Sequence, residues 1–244
     1  MMKLQKLLSY VRRAVDDYNM IKDGDRIAVG ISGGKDSLTL LLALKSLQRF
    51  YPEKFELEAI TISLGFDNFD LEAVKKMCDE IGVRYTVQDT YIGQIIFQER
   101  KEKNPCSLCS KMRKAALYDV AKKLGCNKIA LGHNKDDVIQ TLLLSMFYEG
   151  RIHTFSPVTH LEDINLHSIR PLIYAPEKEV ISFSRKYGLP VVKSPCPADG
   201  KTKREDMKIF IKQLRKQYDH FDSRMFGAIQ RSFIDGWNIE RKTP

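Results

Sequence analysis

Apolar positions between residues 26 and 148 fall into two alternating patterns. Short runs rich in branched side chains, RIAVGI (26–31), LEAITIS (57–63), VRYTVQ (83–88) and KIALG (128–132), alternate with stretches of helical spacing at 37–47, 70–81, 107–124 and 137–148. Buried strands alternating with helices imply parallel β-α units, with helices on both faces of the sheet. In open sheets of that class ligands sit beyond the carboxyl ends of the strands, which is where segments 32–37 and 133–137 fall.

Past residue 149 the periodicity fades. The polar stretch up to 170 holds His153, His160 and His167, whose spacing fits no zinc pattern, so they read as loop residues. IRPLIYAP (169–176) leads into a further helix through Tyr187, with Pro176 in its first turn. GLPVVKSPCPADG (188–200) reads as an extended, proline-stiffened segment, and 201–233 as two basic amphipathic helices.

Charge adds a partner class. Of 244 residues, 40 are Lys or Arg and 31 Asp or Glu, a net +9; residues 185–244 hold 14 basic and 7 acidic side chains, so +7 of the excess lies there. Such a tail suits a polyanion, although a solvated helix face is the plain alternative. The amphipathic pattern at 1–20 is broken by Lys3, Lys6, Arg12, Arg13, Asp16 and Asp17, and no run reaches the ~20 apolar residues of a membrane span. The expectation is a cytoplasmic protein with no membrane association. Five cysteines, an odd number without an export signal, point to metal or sulfur chemistry rather than disulfides.

The first strand stops in Ser32-Gly33-Gly34-Lys35-Asp36-Ser37 and enters a helix. Unpaired backbone N–H groups at a helix N-terminus, two glycines that let phosphate approach and a lysine make an anion site. A Walker A loop is excluded, because Val29 stands six residues before Lys35 and Asp36 follows it. Asp36 beside phosphates needs a cation between them and so suits Mg²⁺; a turn merely capped by Asp36 or Ser37 is the structural alternative. SGGKDS after a hydrophobic strand resembles the PP-loop of N-type ATP pyrophosphatases. That resemblance implies that Ser32, Gly33, Gly34, Lys35, Asp36 and Ser37 cradle the pyrophosphate of ATP.

KIALGHNKDD repeats the strand-to-helix logic with His133, Asp136 and Asp137. The two carboxylates either complement the helix dipole or complete the Mg-ATP site, as the second motif of PP-loop proteins does. NPCSLCSKMRK places Cys106 and Cys109 at a helix start beside Lys111, Arg113 and Lys114, where lowered thiol pKa values are expected. Redox chemistry and structural zinc are the other uses of such a pair. Cys78 and Cys126 read as core; Cys196, between prolines, does not. Three cysteines could hold an iron-sulfur cluster with one iron free of protein ligands, able to take a substrate atom such as sulfide.

Taken together, SGGKDS, PCSLCSKMRK, IALGHNKDD, IRPLI and the lone Cys196 resemble the tRNA 2-thiocytidine synthetase family of PP-loop ATPases over about four fifths of the chain. The resemblance implies an adenine nucleotide alpha hydrolase-like α/β fold with a five-stranded parallel sheet. Its parts would be an N-terminal helix (1–22), a PP-loop ATPase domain (23–195) and basic C-terminal helices (196–244). It implies a 4Fe-4S cluster on Cys106, Cys109 and Cys196, ATP bound by the two turns (Ser32 to Ser37, His133, Asp136, Asp137), and Mg²⁺ on Asp36 with one of Asp136 or Asp137, Asp137 being the assigned one.

The implied partners are tRNA, a sulfur donor (a cysteine desulfurase or sulfide) and a second copy of the chain. The implied reaction is thiolation of cytidine 32. Asp36 and Arg113 are the catalytic candidates: Arg113, one turn after Cys109, either stabilises the adenylated intermediate or is a surface charge. The open alternatives are a paralogue acting on another tRNA base or a free base, and an ATP-binding iron-sulfur protein without sulfur transfer. An ammonia-using PP-loop synthetase would leave the cysteines without a task.

Overall fold

The computed structural model describes residues 2–67, 69–100, 105–198, 200 and 202–237. Helix α1 (Met2–Asp17) precedes strand β1 (Asp25–Gly30), and then α2 (Lys35–Leu47), β2 (Phe55–Ser63), α3 (Glu72–Glu80) and β3 (Arg84–Asp89) follow. A short α4 (Ile92–Gln94) leads to α5 (Pro105–Lys123), β4 (Lys128–Ala130) and α6 (Lys135–Leu144), which ends in a π turn, Ser145–Glu149. The chain closes through β5 (Val158–Leu161), β6 (Leu166–Ile169), α7 (Glu177–Lys186), α8 (Lys203–Gln217) and α9 (Phe221–Arg231).

The strands form one six-stranded sheet in the order β3-β2-β1-β4-β6-β5. β3, β2, β1, β4 and β6 run parallel, and β5 pairs antiparallel with β6 at the edge. The expected five parallel strands are thus present, and a sixth is added. β5 comes from the polar stretch 149–170; it joins β6 through a tight 3-10 turn and Asn165 in the left-handed region (φ 51°). His160 and His167 are therefore cross-strand neighbours, with rings stacked at 4.4 Å, rather than loop residues.

Period-2 alternation sorts each central strand between two cores. Ile27 and Val29 face a core built with α1, α2, α7 and α9, while Ala28 faces a second one with Ile60, Leu117 and Ile129. Leu7 and Val11 of α1 share the first core with Met207 and Ile211 of α8, Phe226 of α9 and Trp237, so both ends of the chain brace the same side of the sheet. Trp237 is fully buried and donates its indole N–H to the Phe155 carbonyl at 2.9 Å. Cys78 and Cys126 are core residues. Among the described residues no helix is long and apolar enough to cross a membrane.

Candidate active site

The β1-α2 turn is held open by its own hydroxyls. Ser37 Oγ accepts from the Ser32 N–H (3.1 Å) and donates to the Gly34 carbonyl (3.0 Å), and no side chain caps α2, so its first-turn N–H groups stay free for an anion. Gly33 sits at φ +78°, a conformation that side chains rarely adopt. Lys35 Nζ lies 2.8 Å from Asp36 and 3.0 Å from Glu177. Burial works against its charge, but the two carboxylates outweigh it and raise its pKa.

The β4-α6 turn interlocks with the first. Asn134 caps α6 by accepting from the Asp136 and Asp137 N–H groups, and Asp137 Oδ2 accepts in return from the Asn134 N–H (3.0 Å). The Asn134 side chain also donates to Asp36 Oδ1 at 3.0 Å. Gly132 lets the turns approach: a Cβ there would lie 3.1 Å from the Asp36 and Ser37 backbone. Gly132→Ala is therefore expected to push the turns apart and weaken ATP binding at least tenfold, measured by nucleotide titration; unchanged affinity would show that the approach is not needed.

The two carboxylates of this turn separate. Asp136 is engaged by the Arg215 guanidinium of α8 and accepts from the Glu177 N–H at 2.6 Å, which ties α6 to α7 and α8. Asp137 lines the cavity instead. Burial, aggravated by Asp36 and Glu177, raises its pKa from 3.8 to about 6, against the opposing pull of the Asn134 hydrogen bond and Arg204. A half-buried carboxylate facing two others is suited to a divalent cation.

His133 is half-buried and stacked on Phe155 with centroids 4.0 Å apart. Burial lowers its pKa well below the ordinary value, and the cations Arg170, Arg204 and Lys114 lower it further. Arg170 Nε donates to His133 Nδ1 at 3.3 Å, so the ring is neutral and carries its proton on Nε2.

The cysteines arrive from two directions. Pro105 opens α5, which puts Cys106 and Cys109 one turn apart at its start. The segment carrying Cys196 crosses the first turn, where the Val192 N–H donates to the Gly33 carbonyl at 2.9 Å. All three thiols line one cavity of about 590 Å³ together with Ser32, Asp36, Arg113, His133 and Asp137. Cys196 and Arg113 also share a narrower recess beside Ser32. Among the described residues no three His, Cys, Asp or Glu side chains close on a single-ion position.

Residues 4–214 match the PP-loop domain family. Two curated relatives are each 40% identical: the tRNA-cytidine(32) 2-sulfurtransferase of Pelobacter propionicus, over 92% of this chain and 85% of its own, and that of Geobacter sulfurreducens, over 98% and 95%. The chain belongs to this family of PP-loop proteins. Among solved structures it resembles the U34-tRNA thiolase NcsA from Methanococcus maripaludis with its [4Fe-4S] cluster, at 25% identity and a TM-score of 0.73 over 90% of this chain and 76% of that one.

Against this background one expectation changes sign. The Cys109 thiol is pushed up, not down: burial outweighs Arg113, and Cys196 and Cys106 add to the rise. A metal that coordinates thiolates overcomes such a rise. Sequence reading missed three residues. Asn134 was signalled by its capping-box spacing to Asp137, Arg170 lay unused in the IRPLI motif, and Glu177, whose contact with Lys35 spans two elements, left no local signal.

Proposed function

We propose that this protein uses ATP to replace the C2 oxygen of cytidine 32 in tRNA by sulfur. Support comes from the relatives' shared name at 40% identity over nearly whole chains, and from three cysteines lining the same cavity as the PP-loop. The C2 oxygen attacks the α-phosphorus of ATP, an O–P bond forms, and pyrophosphate leaves. The Gly33 and Gly34 backbone, the open N-terminus of α2 and Lys35 receive that pyrophosphate. His133 offers a neutral Nε2–H to a phosphate oxygen, and Arg170 keeps the proton there. Asp36 and Asp137 would hold Mg²⁺, which would offset the phosphate charge.

In the second half sulfur attacks C2, the C–O bond breaks, and AMP departs with the former C2 oxygen. Arg113, beside Cys109 and Cys196, stabilises the negative charge that builds on the adenylated base as sulfur adds. Cys106, Cys109 and Cys196 would hold a 4Fe-4S cluster, which supplies an iron free of protein ligands at which sulfur can be held. Sulfide provides that sulfur directly, whereas a cysteine desulfurase would deliver it as a persulfide that a thiol reductant brings to the sulfide level; the protein acts in the cytoplasm as a homodimer.

The basic tail carries tRNA through phosphate contacts. For about four such contacts affinity should fall roughly a hundredfold between ~50 and ~200 mM salt, and a flat response would refute an electrostatic dock. The route of oxygen tests the activation step. With ¹⁸O at C2 of cytidine 32, the label should appear in AMP; label in inorganic phosphate or water would rule out adenylation.

A further inference from the structure

Helix α6 ends in a π turn that presents Met146, Phe147 and Tyr148 to solvent before Gly150, at φ 63°, stops it. Phe147 is 63% exposed, and neighbouring Ile152 and Ile209 are 66% and 61% exposed. Three consecutive exposed apolar side chains are costly to leave in water unless something covers them. The patch also has internal order: Phe147 meets Phe210 of α8 edge to face, with centroids 5.7 Å apart at 77°, and Lys203 Nζ lies 4.2 Å above the Tyr148 ring.

Its position is as informative as its composition. Lys203 stands between Thr202 and Arg204, both of which line the active-site cavity. The aromatic patch therefore starts at the cavity rim and runs outward along α6 and α8. Arg204 spans the two helices through Gln140 and Thr141. α8 carries six basic residues against two acidic ones, and of the acids Glu205 is paired with Lys208. Glu149 at the end of the π turn is likewise paired, with Arg151 at 2.6 Å.

We infer that Phe147, Tyr148 and Phe210, with Lys203 over the Tyr148 ring, form a stacking platform for unpaired nucleotides that flank the target base of the RNA substrate. This rests on the proposed function and specifies which part of the substrate the surface takes. π faces beside cations, continuous with the cavity that receives the base, match single-stranded RNA: splayed bases stack on aromatic rings while lysine and arginine meet the adjoining phosphates. A duplex keeps its bases inside and cannot use such a surface.

The test uses the full-length, cluster-loaded protein and two RNAs of equal length: an anticodon stem-loop and a fully paired control duplex. In Phe147→Ala/Tyr148→Ala, stem-loop affinity should fall at least tenfold, since each stacked base contributes roughly a five- to hundredfold factor. Duplex affinity, ATP binding and the salt slope should stay at the parent values, because no phosphate contact is lost, and Phe147→Trp/Tyr148→Phe should restore stem-loop binding. Lys203→Gln should instead lower the salt slope by about one. Unchanged stem-loop affinity in the double alanine variant, with binding by the parent, overturns the platform alone. A change in sedimentation from dimer to monomer overturns it in favour of a self-contact. Failure of the parent to bind the stem-loop overturns the proposed function and the platform with it.

Discussion

Replacing Cys106, Cys109 or Cys196 by alanine is expected to reduce sulfur transfer to the detection limit while ATP affinity stays within about twofold of the parent. The division follows from the hydrogen bonds. Gly33, Gly34, Lys35 and Ser37 are positioned by one another, by Asp36, and by Glu177, and none of these contacts uses a cysteine side chain. Cys196 lies on the segment that docks on the Gly33 carbonyl, but through the Val192 backbone, which survives truncation of the thiol. Each variant should also lose iron and its visible absorbance after reconstitution. Cys78→Ala and Cys126→Ala, in the two cores, should cost stability of roughly 1–2 kcal/mol and leave iron content intact. Loss of ATP binding in all three of the first set, or full iron retention in any of them, would contradict the assignment.

Asp137→Asn is expected to move stability and activity in opposite directions. The folded protein holds this carboxyl at about 6 against an ordinary 3.8, so the folded state binds the proton more tightly. The group therefore costs nothing below about pH 4, and its ionised form erodes stability as pH rises to about 6. At neutral pH the cost is about 2–3 kcal/mol. Asparagine removes the charge and keeps an oxygen for the Asn134 N–H, so the ligand-free variant should melt roughly 4–8 °C above the parent at pH 7 and show no gain at pH 4. Turnover should fall at least a hundredfold, and Mg²⁺ with ATP should raise the melting temperature of the parent far more than that of the variant. A variant less stable than the parent at pH 7 would mean that the carboxylate serves the cap of α6 and not a cation.

Strands β1, β2, β3 and β4, their helices and both ligand turns were legible because each rests on a local signal. Buried apolar runs mark the strands, helical spacing marks the helices, and glycine with small polar residues marks the turns. The β5-β6 hairpin was not, since four-residue strands with half-polar sequence, VTHL and LHSI, carry too little alternation. The π turn at the end of α6 leaves no trace in spacing, and the expected helix through 148 simply continues into it.

Asp136 and Asp137 look alike in sequence. Arg215, 79 residues away, and the Glu177 N–H separate their roles by claiming Asp136. The cysteine set was suggested by resemblance, whereas the means of bringing Cys196 to the others, a backbone bond from Val192 to Gly33, could only be seen in the fold. The thiol shift was misjudged because helix-start and lysine effects are local and readable, while the burial that outweighs them at Cys109 is a tertiary property.

The most direct measurement is nucleoside mass spectrometry of total tRNA from cells with and without this gene, with the deletion complemented by the parent or by Cys106→Ala. Loss of 2-thiocytidine in the deletion, its return with the parent and its continued absence with the cysteine variant is the predicted result. Persistence of 2-thiocytidine in the deletion, or its restoration by Cys106→Ala, would contradict the proposed reaction and the role of the cysteines in it.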